Sequence, residues 1–456
     1  MSASSSHMLD SDPPLRSGPR RVLANLVHLL GGKAAAGVLS LIYLVIATRT
    51  LGAHGYGILI LISSYAVMMG SILAFSGFHG VVRYGAIALA DGDHAGFARI
   101  VRFMALLELG CGALAIILAA VLVPFVGPRL GWSPDVTDIA RIYSFAVLAT
   151  VRATPQGVVQ IAGRFDWLGI HQTVSPTIRL LGALIVWLTG AGLSGFVLAW
   201  LVAAVVEWAS MWFLGWKAWT MIAGGQPLTG PWRGVIRDHE KFGGFIVLTN
   251  FDITLRELAP NLVPLTVGWM LGPTATGVLA LAQRATSLLQ QPAAMLSNAS
   301  YAVLADQVAK RHWALFRHTV LRSAAIAGAL AVLFVMLMLL FGNQILVLLG
   351  GHSFAGGTAL VVLVALGRSA ALVSTPLAAG LTALGKPQRS MSVALLTNLI
   401  LYPLLPALLW LIGLNGAGWH GMIQYGVALT LLAWFFVRDT DGEATGFVRT
   451  TSGQTD

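Results

Sequence analysis

The stretch Leu51-Gly52-Ala53-His54-Gly55-Tyr56-Gly57-Ile58-Leu59 has a counterpart 220 residues later, Leu271-Gly272-Pro273-Thr274-Ala275-Thr276-Gly277-Val278-Leu279. Each copy holds a Leu-Gly pair, a four-residue spacer, a second glycine, a β-branched residue and a leucine. Four ordered matches at a nearly constant offset predict an internal duplication over most of the chain. The other three, at offsets of 221 to 223 residues, pair Thr154-Pro155 with Thr375-Pro376, Gly163-Arg164 with Gly385-Lys386, and Val186–Gly190 with Leu409–Gly413.

The composition places both copies in a membrane. Of the 456 residues, 57% are hydrophobic and only 10% are charged, and the mean hydropathy is +0.79. Soluble domains carry about 25% charged residues. Apolar runs of about 18 or more residues, each long enough to cross the hydrocarbon core as a helix, recur along the chain. We therefore predict an all-α polytopic membrane protein.

The apolar runs predict about twelve transmembrane helices in two parallel six-helix repeats, because an even number of spans per half keeps both halves in one orientation. The predicted spans are 28–50, 57–80, 99–125, 138–162, 168–192, 194–217, 243–271, 276–299, 316–341, 357–383, 388–412 and 416–437. The predicted domains are a cytoplasmic tail at 1–27, an N-terminal lobe at 28–217, a cytoplasmic linker at 218–242, a C-terminal lobe at 243–437 and a cytoplasmic tail at 438–456.

The basic residues predict the orientation. Nineteen of the 28 Lys and Arg fall in the tails and the loops on the N-terminal side, three on the other side and six inside spans. Cytoplasmic loops carry the excess of Lys and Arg, so both termini are expected in the cytoplasm. The net charge of +10 does not indicate nucleic-acid binding, because no basic soluble domain is present to hold it.

The segment Ala47–Leu59 carries a family resemblance, together with Gly77-Phe78 and Val82-Arg83-Tyr84 at the end of the second span. A first span that ends in Leu-Gly, a short spacer and Tyr-Gly resembles bacterial polysaccharide and O-antigen flippases. These belong to the multidrug/oligosaccharidyl-lipid/polysaccharide (MOP) exporter superfamily. The resemblance implies two six-helix lobes around a cationic cavity, in the bacterial inner membrane.

The resemblance also implies a function. Such a protein moves an undecaprenyl-diphosphate-linked oligosaccharide, a precursor of O-antigen, lipopolysaccharide or exopolysaccharide, to the outer leaflet by alternating access. Its implied partners are the lipid bilayer, H⁺ or Na⁺ as a coupling ion, and polysaccharide polymerase and assembly proteins. The sequence itself encodes no particular sugar.

Charges inside the spans are the candidate site residues, since each costs roughly 2.5–3.5 kcal/mol at membrane depth. A diphosphate leaving water needs replacement donors, and the planar fork of arginine pairs phosphate oxygens bidentately. The six intramembrane cations outnumber four acids, Glu108, Glu207, Asp252 and Glu257. The predicted substrate-binding residues are Arg284, Arg256, Lys33, Arg152, Arg368 and Gln291.

The seventh and eighth spans hold most of these candidates. Arg256 follows Asp252 by four residues, so the two can form a structural ion pair instead of contacting substrate. Glu257 points about 100° away, and Glu257 with Asp252 is the predicted coupling-ion or proton site. Arg284, Ser287 and Gln291 form one polar helix face, which must face protein or water.

Each of the remaining cations can be interpreted as a substrate-binding residue or as a structural or interfacial one. Lys33 lies between Gly31-Gly32 and an Ala-rich run that permits close helix approach, or it snorkels to the interface. Arg152 and Arg368 precede the Thr-Pro pairs of equivalent spans, and Arg179 could pair with Glu207. The Trp residues at 208, 212, 216 and 219 favour an interfacial belt over a sugar-stacking stripe.

Enzyme chemistry is not indicated. The 11 His residues show no metal-ligand spacing with Cys or acids, and no Gly-rich phosphate loop with Lys-Ser/Thr occurs. We predict a transporter with no cofactor, no metal site and no catalytic residue. The alternatives are a multidrug or cation antiporter of the same superfamily, a non-catalytic scaffold of a polysaccharide assembly complex and a membrane-embedded transferase.

Overall fold

The computed structural model describes residues 18–239, 241–287, 304 and 307–452, with side chains between 29 and 440 except those of 256 and 259. Every regular element in these ranges is a helix. The N-terminal half contains α1 (Gly18–Leu73), α2 (Phe78–Gly80), a π-helix (Val81–Gly85), α3 (Ala86–Ala90), α4 (His94–Val126), a 3₁₀ turn (Pro128–Leu130), α5 (Pro134–Tyr143), a 3₁₀ segment (Ser144–Thr150), α6 (Ala153–Ile161), α7 (Phe165–Thr189) and α8 (Gly192–Ile222).

The C-terminal half follows a linker that carries one short helix. It contains α9 (Val235–Asp238), α10 (Phe242–Ser287), α11 (Trp313–Gly350), a 3₁₀ turn (His352–Phe354), α12 (Thr358–Ala383), α13 (Pro387–Leu395), a π-helix (Leu396–Ile400), α14 (Leu404–Ile412) and α15 (Asn415–Ser452). Among the described helices, seven are long and apolar enough to cross a membrane, and the pair bent at Leu401–Pro403 makes an eighth. The prediction of an all-α membrane protein with two six-helix repeats is confirmed.

Two glycines explain why α1 and α10 each hold two spans. Gly52 has φ 64° and ψ −176°, and Gly272 has φ 85° and ψ 176°. Residues other than glycine rarely adopt such positive φ values. The Leu-Gly pair of each repeat therefore turns the chain from its first span into its second, which accounts for the duplicated motif.

The second glycines of the two motifs pack against each other. A Cβ at Gly57 would lie 1.8 Å from the carbonyl oxygen of Pro273, and one at Gly277 would lie 2.1 Å from that of Ala53. Beside this crossing, Thr48 Oγ1 donates to Leu349 O at 2.6 Å and Arg49 Nη2 donates to Leu348 O at 2.8 Å. The lobes thus meet backbone to backbone at this end, which we call the opposite face; the N-terminal face is where α1 begins.

The apolar core has a different extent at the two faces. A cluster at the opposite face contains Leu59 and Val147 of the N-terminal half with Leu281 and Leu346 of the C-terminal half. Toward the N-terminal face the described core divides: one cluster, around Phe97, includes Phe242 and Ile246 at the start of α10, and a separate cluster lies wholly in the C-terminal half. The lobes therefore share a broad core at the opposite face, whereas at the N-terminal face the N-terminal half packs on the start of α10 and the rest of the C-terminal half has its own core.

Candidate functional site

A central cavity of about 640 Å³ lies where the lobes separate. On α1 its wall runs from Leu29 to Leu41, which is about 18 Å of helix. The cavity therefore extends along the N-terminal half of the first span and ends short of the Gly57–Gly277 crossing. Its polar lining comprises Lys33 and Ser40 of α1, Arg152, Gln156 and Gln160 at α6, His171 and Gln172 of α7, Glu207 of α8, and Arg284 and Ser287 of α10.

The lining is cationic. It contains Lys33, Arg152 and Arg284, and its one acid among the described residues is Glu207. Arg152 Nη1 donates to Glu207 Oε1, with 34% and 15% of the two side chains exposed. Neither Lys33 nor Arg284 forms an ion pair within the described part of the chain. The charge of these two side chains is thus available to an anion.

A break in the fourth span positions Arg152. The 3₁₀ segment ends at Thr150, and α6 begins at Ala153. Glu108 of α4 is fully buried and accepts hydrogen bonds from Ala153 N at 2.6 Å and Thr154 N at 2.7 Å. These amides begin the helix and have no intrahelical partner, so the carboxylate caps α6. Glu108 therefore fixes the backbone directly after Arg152.

Close helix packing positions Lys33. A Cβ at the preceding residue, Gly32, would lie 2.0 Å from Gly169 O, so α1 and α7 are in backbone contact there. Two residues further along α7, His171 is buried, and its Nε2 lies 3.0 Å from Glu207 O. These contacts tie α1, α7 and α8 together around the N-terminal half of the cavity.

Arg179 occupies a different environment from the one considered in the sequence. Its guanidinium carbon lies 4.3 Å from the ring centroid of Trp200. The ion partner of Glu207 is Arg152. Glu207 therefore lines the central cavity as the counter-ion of Arg152.

The other predicted site residues lie apart from the central cavity or outside the described residues. Asp252 lines a separate pocket of about 100 Å³ with Asn398 and Tyr402. Glu257 is exposed and lines neither cavity. Arg368 lies on α12, does not line the central cavity and has interactions of its own. The side chain of Arg256 and the whole of Gln291 lie outside the described residues.

Sequence reasoning missed part of the lining although a signal was present. Arg152, Gln156 and Gln160 follow each other at intervals of four residues and share one face of α6. That face was available from the sequence as a polar stripe in an apolar span. Glu108 had no comparable signal, because its partners are backbone amides from another span.

Comparisons with known proteins bear on what this cavity carries. The model of the "Polysaccharide biosynthesis protein" family matches residues 22–308, and the MatE family model matches residues 251–406. A curated relative, "Inner membrane protein YghQ" of Escherichia coli (strain K12), is 24% identical over 348 residues, which cover 74% of this chain and 94% of that one.

Solved structures show the same fold. A multidrug resistance MATE family transporter of the MOP superfamily in an inward-facing conformation aligns with a TM-score of 0.69 at 15% identity, covering 94% of this chain and 99% of that one. A MOP superfamily transporter from Pyrococcus furiosus, described as having a binding pocket of reverse polarity, aligns with a TM-score of 0.61 at 14% identity, covering 93% and 96%.

Proposed function

The chain belongs to the polysaccharide biosynthesis protein family of the MOP exporter superfamily, and from that membership we propose that it flips an undecaprenyl-diphosphate-linked oligosaccharide across the inner membrane. It is a multi-pass membrane transporter; the glycan-lipid cargo is the proposed part. The single observation that carries the proposal is the cationic cavity, in which Lys33 and Arg284 lack an acidic partner among the described residues.

The chemistry of the cavity suits a diphosphate. Two unpaired cations at membrane depth are costly unless an anion or water compensates them. Arg284 offers a bidentate fork and Lys33 a point charge, the two kinds of donor that proteins use for phosphates. Gln156, Gln160 and Gln172 add uncharged donors and acceptors suited to sugar hydroxyls.

The proposed transport cycle uses the two differently joined faces. With both termini in the cytoplasm, the open N-terminal face admits the head group while the lipid tail stays in the bilayer. Rocking of the lobes then parts the crossing of Gly57 and Gly277 and releases the head group outside. Asp252 and Glu257 lie away from the cationic lining, and we propose them as the site of a coupling H⁺ or Na⁺.

Arg284→Ala tests the proposal. We expect the variant to accumulate lipid-linked oligosaccharide on the cytoplasmic leaflet and to lose surface polysaccharide, because a charge-assisted hydrogen bond of roughly 1.5–3 kcal/mol is removed. Arg141→Ala is the matched control, since Arg141 is exposed and lines no described cavity. Normal polymer at normal protein level in Arg284→Ala cells would remove Arg284 from the site.

A multidrug or cation antiporter is the second candidate. The match of residues 251–406 to the MatE family model favours it. The cavity charge opposes it, since a net positive lining repels a cationic drug. The leaflet assay separates the two functions: a deletion strain with unchanged leaflet distribution and lost drug tolerance supports the antiporter.

A further inference from the structure

A second cavity, of about 430 Å³, lies in the N-terminal half between α4, α6 and α8. We call it the α4/α8 groove. On α8 its wall runs from Trp212 to Trp219, which is about 10 Å of helix. Thr154, Pro155 and Val158 of α6 form its floor, and Arg152, Gln156 and Gln160 on the other side of α6 line the central cavity. The groove is therefore separated from the proposed transport site by a helix.

The mouth of the groove faces the hydrocarbon of the bilayer. Leu106 of α4 and Trp216 of α8, which flank it, are 50% and 48% exposed. Leu109 and Phe213 continue the same surface and are exposed as well. On a membrane-spanning helix, exposed side chains of this kind contact lipid chains. An empty apolar depression in that surface would leave its walls without dispersion contacts, so a hydrocarbon chain is its natural occupant.

The end of the groove toward the N-terminal face is cationic. Arg102 lines it with only 8% of the residue exposed. Its Nε and Nη1 donate to Leu228 O at 3.1 Å and Pro231 O at 3.2 Å, and its Nη2 donates to Pro227 O. A guanidinium has five N–H donors, so two remain for another acceptor. The linker is thus folded over this end and presents arginine to it.

More basic side chains surround this end. Arg99, one turn before Arg102 on α4, pairs with Asp238 at 2.7 Å. Arg233 stacks on Trp232, whose ring in turn stacks on Phe103 of α4. Arg233 and Arg237 are exposed. Among the described residues at this end, four arginines share one aspartate, since Asp238 also lies 3.8 Å from Arg237. This excess of positive charge beside an apolar groove is complementary to an anionic head group on a hydrocarbon chain.

We propose that the α4/α8 groove binds an anionic phospholipid of the surrounding membrane, with one acyl chain along the tryptophans and the phosphate at Arg102 and its neighbours. The cargo's own lipid tail does not reach it, because α6 stands between the groove and the cationic cavity. The bound chain packs on Pro155, directly after the capped break that carries Arg152. The lipid therefore supports the geometry of the proposed transport site from the opposite side of α6.

Native mass spectrometry of the full chain tests this. Purified protein is exchanged into detergent with dioleoylphosphatidylglycerol or dioleoylphosphatidylcholine, and retained lipid is counted. We expect one phosphatidylglycerol to stay bound under conditions that strip phosphatidylcholine. Ala105→Phe fills the groove and should abolish this retention, whereas Ala113→Phe, at an exposed position further along α4, should keep it.

The arginines supply a second test in a protein with an intact groove. Arg233→Gln and Arg237→Gln change exposed side chains and leave the apolar walls in place. Each should lower the preference for phosphatidylglycerol about fivefold, since a basic residue at an anionic surface contributes ~1 kcal/mol. Equal retention of the two phospholipids, or retention that persists in Ala105→Phe, overturns the proposal. Displacement of phosphatidylglycerol by undecaprenyl phosphate would reassign the groove to the cargo.

Discussion

Glu207 is the residue whose role changes most between sequence and structure. It neutralises Arg152 inside a lining that otherwise carries Lys33 and Arg284. In the proposed function, an arriving diphosphate would compete with Glu207 for Arg152. The ion pair therefore keeps the empty cavity from holding three uncompensated cations, and it would limit how tightly the cavity holds the proposed anionic cargo.

Glu207→Gln should strengthen anion binding, because it frees Arg152 and adds one net positive charge to the cavity. One charge at ~10 Å with an effective dielectric constant of ~20 contributes about 1.7 kcal/mol, or roughly 15-fold in affinity. Titration calorimetry with pyrophosphate in detergent measures this change. Asp135→Asn, at an exposed acid outside the cavity, is the control and should leave the affinity unchanged. Unaltered binding by Glu207→Gln would show that Arg152 does not contact the anion.

Lys33 and Arg284 should act together on the same anion. Lys33→Gln and Arg284→Gln each remove one charge, and each should weaken pyrophosphate binding about tenfold or more, as expected for a lost charge-assisted bond. If both contact one diphosphate, the double variant should weaken binding by a factor that differs from the product of the single effects. Strict additivity in the calorimeter would place the two side chains in separate sites.

Among the elements, the broken fourth span depends on Glu108. Its carboxylate holds the first amides of α6, which lie between the central cavity and the α4/α8 groove. Glu108→Ala should destabilise the protein by about 1–3 kcal/mol per orphaned amide, measured by denaturant unfolding in detergent. Glu108→Gln keeps one acceptor oxygen and should cost less. Equal loss in both variants would mean that the negative charge, and not the hydrogen bonds, stabilises the break.

The elements also show where sequence reasoning succeeds. The duplication, the all-α class and the two repeats follow from patterns that local physics enforces: apolar length, and glycine where φ is positive. The polar stripe of Arg152, Gln156 and Gln160 was equally available. These features depend on residues close together in the chain.

Longer-range features could not be predicted in this way. Glu207 pairs with Arg152 because the fourth span breaks at residues 151–152, and helical periodicity does not carry a side-chain direction across such a break. Asp252 lies in its own small pocket because of how α10 is rotated against α13 and the π-helix that follows it, a packing outcome that its spacing to Arg256 does not specify. Neither contact has a local sequence signal.

At the scale of the whole molecule, the duplicated motif marks the seam that would have to part in the proposed transport cycle. Gly57 and Gly277 let the lobes touch backbone to backbone at the opposite face, and Thr48 and Arg49 donate across the same seam. At the N-terminal face the described core of the C-terminal half is separate from the cluster around Phe97, except for Phe242 and Ile246 at the start of α10. The closed seam therefore stabilises the conformation that opens toward the N-terminal face.

Gly277→Ala should shift this balance, because its new Cβ would lie 2.1 Å from Ala53 O in the closed seam. Overpacking would destabilise the conformation with the closed seam by about 1–3 kcal/mol. The ratio of molecules with an open opposite face to molecules with a closed one would then rise by roughly 5- to 150-fold. Spin labels attached at Thr50→Cys and Leu348→Cys, in a Cys111→Ser background, report the distance between these two positions by double electron–electron resonance. Gly110→Ala is the matched control, since a Cβ there meets nothing within 4 Å. A second, longer distance in Gly277→Ala alone supports the seam as the gate, and identical distributions in the two variants would place the gate elsewhere.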